Sequence, residues 1–260
     1  MVPVMDEICL NGYIKTVALV KEEVPSHNEY PFSLPAVRNL TELRLHPKAT
    51  FLVGENGTGK STLLEAIAVA FGFNPEGGTK NFRFSSRDTH TSLSDYLRLS
   101  KGVSRPKDGF FFRAESFYNV ATHIDDLDSE PSFGPQLKYS YGGISLHQMS
   151  HGESFFAVFL NRFGGNGLYI LDEPEAALSP NRQMSMISRM HQLIGQNSQF
   201  IIATHSPIIM SYPDAYIYKV DEGFRKVEYR ETEHYQVTRT FLNDTDRMLN
   251  ILMSDEDCQG

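Results

Sequence analysis

Gly54-Glu55-Asn56-Gly57-Thr58-Gly59-Lys60-Ser61 fits the pattern G-x-x-x-x-G-K-[ST]. Just before it, Ala49-Thr50-Phe51-Leu52-Val53 reads as a short buried strand, and the apolar spacing after it predicts a helix over 61–71. A strand, a glycine-rich turn and a helix in that order form the setting in which this pattern cradles phosphate. Glycines let backbone N–H groups turn inward around phosphate oxygens, and the helix N-terminus adds its positive end. Lys60 is placed to reach the terminal phosphates, and the Ser61 hydroxyl to hold Mg²⁺. Residues 54–61, with Thr62 in the first helical turn, are therefore expected to bind a nucleoside triphosphate.

Further along, Leu168-Tyr169-Ile170-Leu171 is an apolar strand that ends in two carboxylates, Asp172 and Glu173. Ligands of α/β sheets sit at the carboxyl ends of strands. A hard Mg²⁺ ion takes oxygen ligands, so Asp172 joins Ser61 as a metal residue. Glu173 is placed to orient or deprotonate an attacking water. His205 again follows a buried strand, Phe200-Ile201-Ile202-Ala203, and can contact a γ-phosphate. Between these lies Met149-Ser150-His151-Gly152-Glu153-Ser154, which opens an apolar helix over 151–163. A Ser-x-Gly turn at a helix N-terminus is a second anion cradle.

Strands alternating with helices predict an α/β fold with a mostly parallel sheet flanked by helices. The 260 residues suffice for a substantial core, with 40% hydrophobic and 22% charged residues. A net charge of −8 argues against a broadly basic surface and leaves a local basic groove open. Two cysteines, Cys9 and Cys258, form neither a disulfide framework nor a paired metal site, which points to a reducing cytoplasm. The apolar run 155–160 is far short of the ~20 residues that span a bilayer, so no direct membrane insertion is expected. Residues 8–20 and 40–45 read as strands, 24–35 as an irregular proline-rich loop, and 72–102 as weakly patterned. Phe110-Phe111-Phe112 reads as a strand and 117–127 as a helix capped by Ser116. The acidic cluster Asp125, Asp126 and Asp128 could suggest a metal site, but reads better as a solvated helix face. Over 181–194 the spacing puts Met184, Ile187, Met190 and Ile194 on one face. Residues 215–220 and 224–229 read as a hairpin, and 233–253 as helical, with Asp244 or Thr245 capping the last helix. Tyr13, Tyr30 and Phe32 are candidates to stack on a base, each also able to pack in the core.

The loop at 54–61, Ser150-His151-Gly152-Glu153, Leu171-Asp172-Glu173-Pro174, Ala177-Leu178-Ser179-Pro180 and Ala203-Thr204-His205 resemble, in order, the Walker A, signature, Walker B, D-loop and switch-histidine motifs of ABC-type ATPases. The resemblance implies a P-loop NTPase fold over 1–260, with antiparallel N-terminal strands and a smaller helical lobe inserted at about 75–165. It also implies ATP and Mg²⁺ as ligands and Lys60, Glu173 and His205 as catalytic residues. In that family two copies sandwich ATP head to tail, so the partners would include a second copy of this chain. Ser150 and Gly152 would then reach the ATP of the other copy, with Ser179 between the two sites.

Departures from the family pattern are informative. The first glutamine in the chain is Gln136, whereas position favours Arg113-Ala114-Glu115-Ser116 as the counterpart of the family's glutamine loop, with Glu115 standing in. Glu153 at the end of the signature looks more like the SMC, RecF and overcoming-lysogenisation groups, yet no coiled-coil insertion or zinc-hook pair is present. The stretches 31–35, 113–119 and 231–235 look similar to small stand-alone bacterial ATPases. The leading expectation is a cytoplasmic Mg-ATPase acting on a macromolecular partner, protein or nucleic acid, in DNA maintenance or anti-phage defence. A nucleotide-binding subunit of a membrane transporter and a slow ATP-gated regulatory module are the alternatives.

Overall fold

The computed structural model describes residues 12–79, 92–114, 122 and 151–254. Two sheets and six α-helices are built from them. A six-stranded sheet holds β3 (Ala49–Val53), β5 (Asp108–Arg113), β6 (Gly167–Asp172), β7 (Gln199–Ala203), β8 (Tyr216–Val220) and β9 (Phe224–Lys226). Its order is β5-β6-β7-β3-β8-β9. Every neighbouring pair is parallel except β8 and β9, the expected hairpin, which is antiparallel at the edge. A second, antiparallel sheet has the order β2-β1-β4, from Glu42–Arg44, Ile14–Leu19 and Leu97–Lys101.

The central strands are apolar throughout because both faces of their sheet are covered. Side chains alternate between the two faces. Phe51, Phe110, Phe112, Tyr169, Leu171, Phe200 and Ile202 enter one core with Phe155, Val158 and Phe159 of α3 (His151–Asn161). Met186, Met190 and Leu193 of α4 (Pro180–Gly195) complete that core. On the opposite face, Leu52, Phe111, Leu168, Ile170 and Ile201 meet Leu63, Leu64 and Ile67 of α2 (Lys60–Phe71). The antiparallel sheet adds Ile14, Val17 and Leu43 to this second core. A short helix α1 (Pro35–Arg38) leads toward β2, while α5 (Glu233–Asn243) and α6 (Thr245–Met253) close the described chain.

Several expectations change here. On α4, Met186 and Leu193 are buried beside Met190, whereas Met184 is 54% exposed. The buried face is rotated from the expected one because α4 packs through residues three and four apart starting at 186. Strand β4 lies in a segment expected to be weakly patterned; its burial is confined to Leu97 and, in part, Leu99. Pairing with β1 stabilises it, and an edge strand needs little apolar pattern of its own. A helical turn, α1, interrupts the end of the proline-rich loop, with Pro35 at its first position. The 40–45 strand shortens to three residues, while Asp244 caps α6 as expected by accepting from the Arg247 backbone N–H. Glu115 and Gln136 lie outside the described residues, as does the helix expected over 117–127 apart from residue 122.

Gln199 joins the two sheets. Its Oε1 accepts from Ile14 N at 3.0 Å, and its Nε2 donates to Ile14 O at 2.8 Å and His46 O at 3.0 Å. The side chain is buried, so the pairing replaces water on both backbone segments. Gln199→Leu should therefore destabilise the fold by about 2–4 kcal/mol through the polar groups it leaves unpaired. The expected reading is a lower urea midpoint with an unchanged slope; an unmoved midpoint would show that the joint does not depend on this amide.

Candidate functional site

Three parallel strands end side by side, and the site is built on those ends. Asp172 of β6 is level with Ala203 of β7, which is level with Leu52 of β3. Beyond the strands the alignment continues, as Glu173 N donates to Ala203 O at 3.0 Å and Thr204 N donates to Leu52 O at 3.2 Å. The glycine-rich loop at 54–59, the two carboxylates and the Thr204-His205 turn thus leave the sheet along one edge.

The loop turns on glycines where its backbone requires them. Gly59, the residue capping α2, has φ 99°, and its neighbour across the turn is Leu34 beside α1. Gly54 has φ 151°, and a Cβ there would run into the Val220 carbonyl of β8. Lys60 is buried, and its Nζ donates to Gly54 O at 2.7 Å and Glu55 O at 2.6 Å. Burial lowers its pKa, while the carboxylates of Glu173, Asp172, Glu175 and Glu55 pull the other way. Ser61 Oγ donates to Asp172 Oδ1 at 2.9 Å. The two residues expected to hold magnesium are therefore in direct contact, a hydroxyl and a carboxylate oxygen at the mouth of the loop. That hard-oxygen pair suits Mg²⁺, which binds few protein ligands and keeps several waters. Among the described residues no cluster of three or more His, Cys, Asp or Glu side chains forms a metal site.

Glu173 has φ 48° and ψ 53°, a left-handed conformation unfavourable for a residue with a Cβ. A strained residue of this kind is characteristic of functional sites. Its Oε1 lies 3.5 Å from Nε2 of His205. The His205 backbone N–H donates to Glu175 Oε1, and burial raises the Glu175 pKa despite that bond. Burial also lowers the His205 pKa, assisted by the Lys60 ammonium.

A cleft of about 410 Å³ is lined by Tyr30, Asn56, Gly57, Gly59, Lys60, Ser61, Thr62 and Glu173, with Leu34 at its side. Tyr30 is 64% exposed and its hydroxyl is 3.4 Å from Thr62 Oγ1, whereas Tyr13 and Phe32 are buried in the second core. Of the three aromatic candidates only Tyr30 stands at the cleft. Ser179 caps α4, accepting from Arg182 N at 3.5 Å, and is exposed. Gly152 lies in the first turn of α3, and Ser150 lies outside the described residues.

One residue at the site had no role in the sequence reading. His234, near the start of α5, lines a second opening with Glu55, Asn56, Glu173 and His205. Its Nε2 is 2.9 Å from His205 Nδ1. The sequence signal was the 231–235 stretch, which carried a resemblance without a function; the pairing with His205 joins positions far apart in the chain. Arg113, at the end of β5, pairs with Glu65 of α2 at 2.6 Å and is level with Asp172.

Residues 143–210 match a family model described as an AAA ATPase domain, and residues 31–125 one described as an AAA domain. The chain is 26% identical over 208 residues to the energy-coupling factor transporter ATP-binding protein EcfA2 of Methanospirillum hungatei, covering 71% of this chain and 48% of that protein. It is 23% identical over 214 residues to the macrolide export ATP-binding/permease protein MacB of Hahella chejuensis, covering 72% and 30%. The chain thus spans about half the length of the first relative and under a third of the second. Among solved structures, the SMC head domain from Thermotoga maritima aligns with a TM-score of 0.38 at 16% identity, covering 72% of this chain and 93% of that one. A dimeric ATP-binding cassette in a post-hydrolysis state, bound to ADP and Pi, aligns with a TM-score of 0.43 at 16% identity, covering 85% and 98%. Both matched family models are described as AAA-type ATPase domains, and each spans under half of the chain. No described helix is long and apolar enough to cross a membrane.

Burial lowers the pKa of both His205 and His234 from 6.5. The unfolded chain then binds protons at a higher pH than the folded one, so their contribution to stability is complete above 6.5 and is lost as pH falls from there through the folded values. Urea unfolding of His205→Gln at neutral and acid pH should show a shallower acid loss than the unsubstituted protein. An unchanged pH slope would show that burial does not penalise the charged ring.

Proposed function

We propose that this chain is a magnesium-dependent ATPase in which two copies bind ATP head to tail and hydrolyse it. The observation that carries the reading is the Ser61–Asp172 contact at the mouth of the loop, with Glu173 and His205 at the same edge. ATP would occupy the cleft between Tyr30 and Glu173, its phosphates against the backbone N–H groups of 57–62 and the N-terminus of α2. Lys60 would exchange the Gly54 and Glu55 carbonyls for phosphate oxygens, a better partner for a buried ammonium. Ser61 and Asp172 would hold Mg²⁺, which neutralises phosphate charge when bound. Glu173 would orient water and accept its proton, and His205 would donate a hydrogen bond toward the terminal phosphate.

Ser150 and Gly152 would close the site of the second copy, with the exposed Ser179 at the seam. ATP would hold the dimer together and hydrolysis would release it. The macromolecular partner is a protein or nucleic acid in DNA maintenance or anti-phage defence, in the cytoplasm. ATPase assays with and without DNA at fixed salt test the nucleic-acid version, because phosphate contacts weaken steeply with salt. A transporter subunit is the second reading, favoured by the transport functions in the names of both curated relatives. Copurification with a membrane protein would favour it.

Glu173→Gln should lower kcat by about 10²–10⁴-fold, the range of general-base contributions, and trap an ATP-bound dimer on gel filtration. Hydrolysis at the unsubstituted rate would remove Glu173 from the mechanism. Ser150→Arg should keep ATP binding by the single chain and abolish ATP-dependent dimerisation; persistent dimers would count against a shared site.

A further inference from the structure

The contact between His205 and His234 contains a constraint on proton position. Two imidazoles that meet Nδ1 to Nε2 at 2.9 Å share one proton, so one ring donates and the other accepts. On its other side, His205 Nε2 faces Glu173 Oε1 at 3.5 Å and makes no hydrogen bond among the described residues. A carboxylate accepts and does not donate. A lone pair on Nε2 would confront that negative charge, whereas an N–H would be attracted to it. His205 therefore carries its proton on Nε2, leaving Nδ1 as the acceptor, and His234 Nε2–H must be the donor.

The placement of His234 is fixed by the fold rather than by side-chain chance. Thr232, 2% exposed, stands just before α5 and donates through Oγ1 to Tyr229 O at 2.7 Å. Tyr229 in turn donates from its hydroxyl to Pro207 O at 2.8 Å, in the loop that carries His205. The start of α5 and the loop after β7 are thus tied together, and the two rings meet edge to face with centroids 5.0 Å apart.

We propose that His234 is a positioning residue for His205. By donating Nε2–H to His205 Nδ1, it holds His205 in the tautomer that presents Nε2–H to Glu173 and to the terminal phosphate. The inference rests on the reading of His205 as the phosphate-contacting histidine. An acceptor at position 234 would favour the opposite tautomer, in which Nε2 meets a phosphate oxygen lone pair to lone pair.

The test combines ¹⁵N-histidine NMR of the full chain with steady-state ATPase kinetics. His205→Gln assigns the His205 signals by their loss and reports whether His205 matters for turnover. The unsubstituted protein should show His205 as the Nε2–H tautomer. His234→Leu should populate the Nδ1–H form and lower kcat roughly 10- to 100-fold, the loss seen when the partner that orients a metal-bound histidine is removed, with KM for ATP little changed. His234→Gln, whose amide N–H can donate to Nδ1, should restore both the tautomer and most of kcat. Matching circular dichroism melts for the two variants separate positioning from folding. An unchanged tautomer in His234→Leu, unchanged kcat there while His205→Gln is impaired, or no rescue by glutamine would each overturn the proposal alone. Full activity of His205→Gln would overturn the underlying reading of His205, and this proposal with it.

Discussion

The site depends on the side-by-side ending of β3, β6 and β7. Parallel pairing keeps neighbouring strands in register, so the first residues beyond them are delivered to one edge together. The bonds from Glu173 N to Ala203 O and from Thr204 N to Leu52 O extend that register one residue past the strands. Without them, Ser61, Asp172, Glu173 and His205 would be near one another in topology and scattered in space. Gln199 lies at the opposite end of β7 and fixes the antiparallel sheet to the same strand.

The polar groups held at this edge are kept under opposing demands. Burial disfavours the charged forms of Lys60, Glu175, His205 and His234, while the surrounding carboxylates draw positive charge toward Lys60. Glu173 adds a backbone conformation that costs on the order of 1–3 kcal/mol. An edge with this composition is tolerable because two well-filled cores lie on either face of the sheet behind it. Stability there leaves room for strain at the strand ends.

Much of the fold was legible because its signals are local. The apolar runs at 49–53, 168–171 and 200–203 declare strands buried on both faces, and glycine spacing declares the loop between β3 and α2. Elements with weak local signals were harder to read. Strand β4 exposes most of its side chains and exists through pairing with β1. The buried face of α4 was misplaced because methionines recur at 184, 186 and 190, and only contact with the sheet selects the last two. Tyr13, Tyr30 and Phe32 are equivalent as aromatic residues in sequence; packing buries two and leaves Tyr30 at the cleft.

The sequence by itself determined the strand–loop–helix around the glycine-rich turn, the carboxylates at the end of β6 and the histidine at the end of β7. Each is written in a few adjacent residues whose backbone preferences need no distant partner. Only the tertiary structure decided that Ser61 meets Asp172, that Tyr30 borders the cleft and that His234 stands behind His205. Those contacts join positions separated by tens of residues or more, and their geometry is set by sheet register and by the turn that ties α5 to the loop after β7. No local preference encodes that distance.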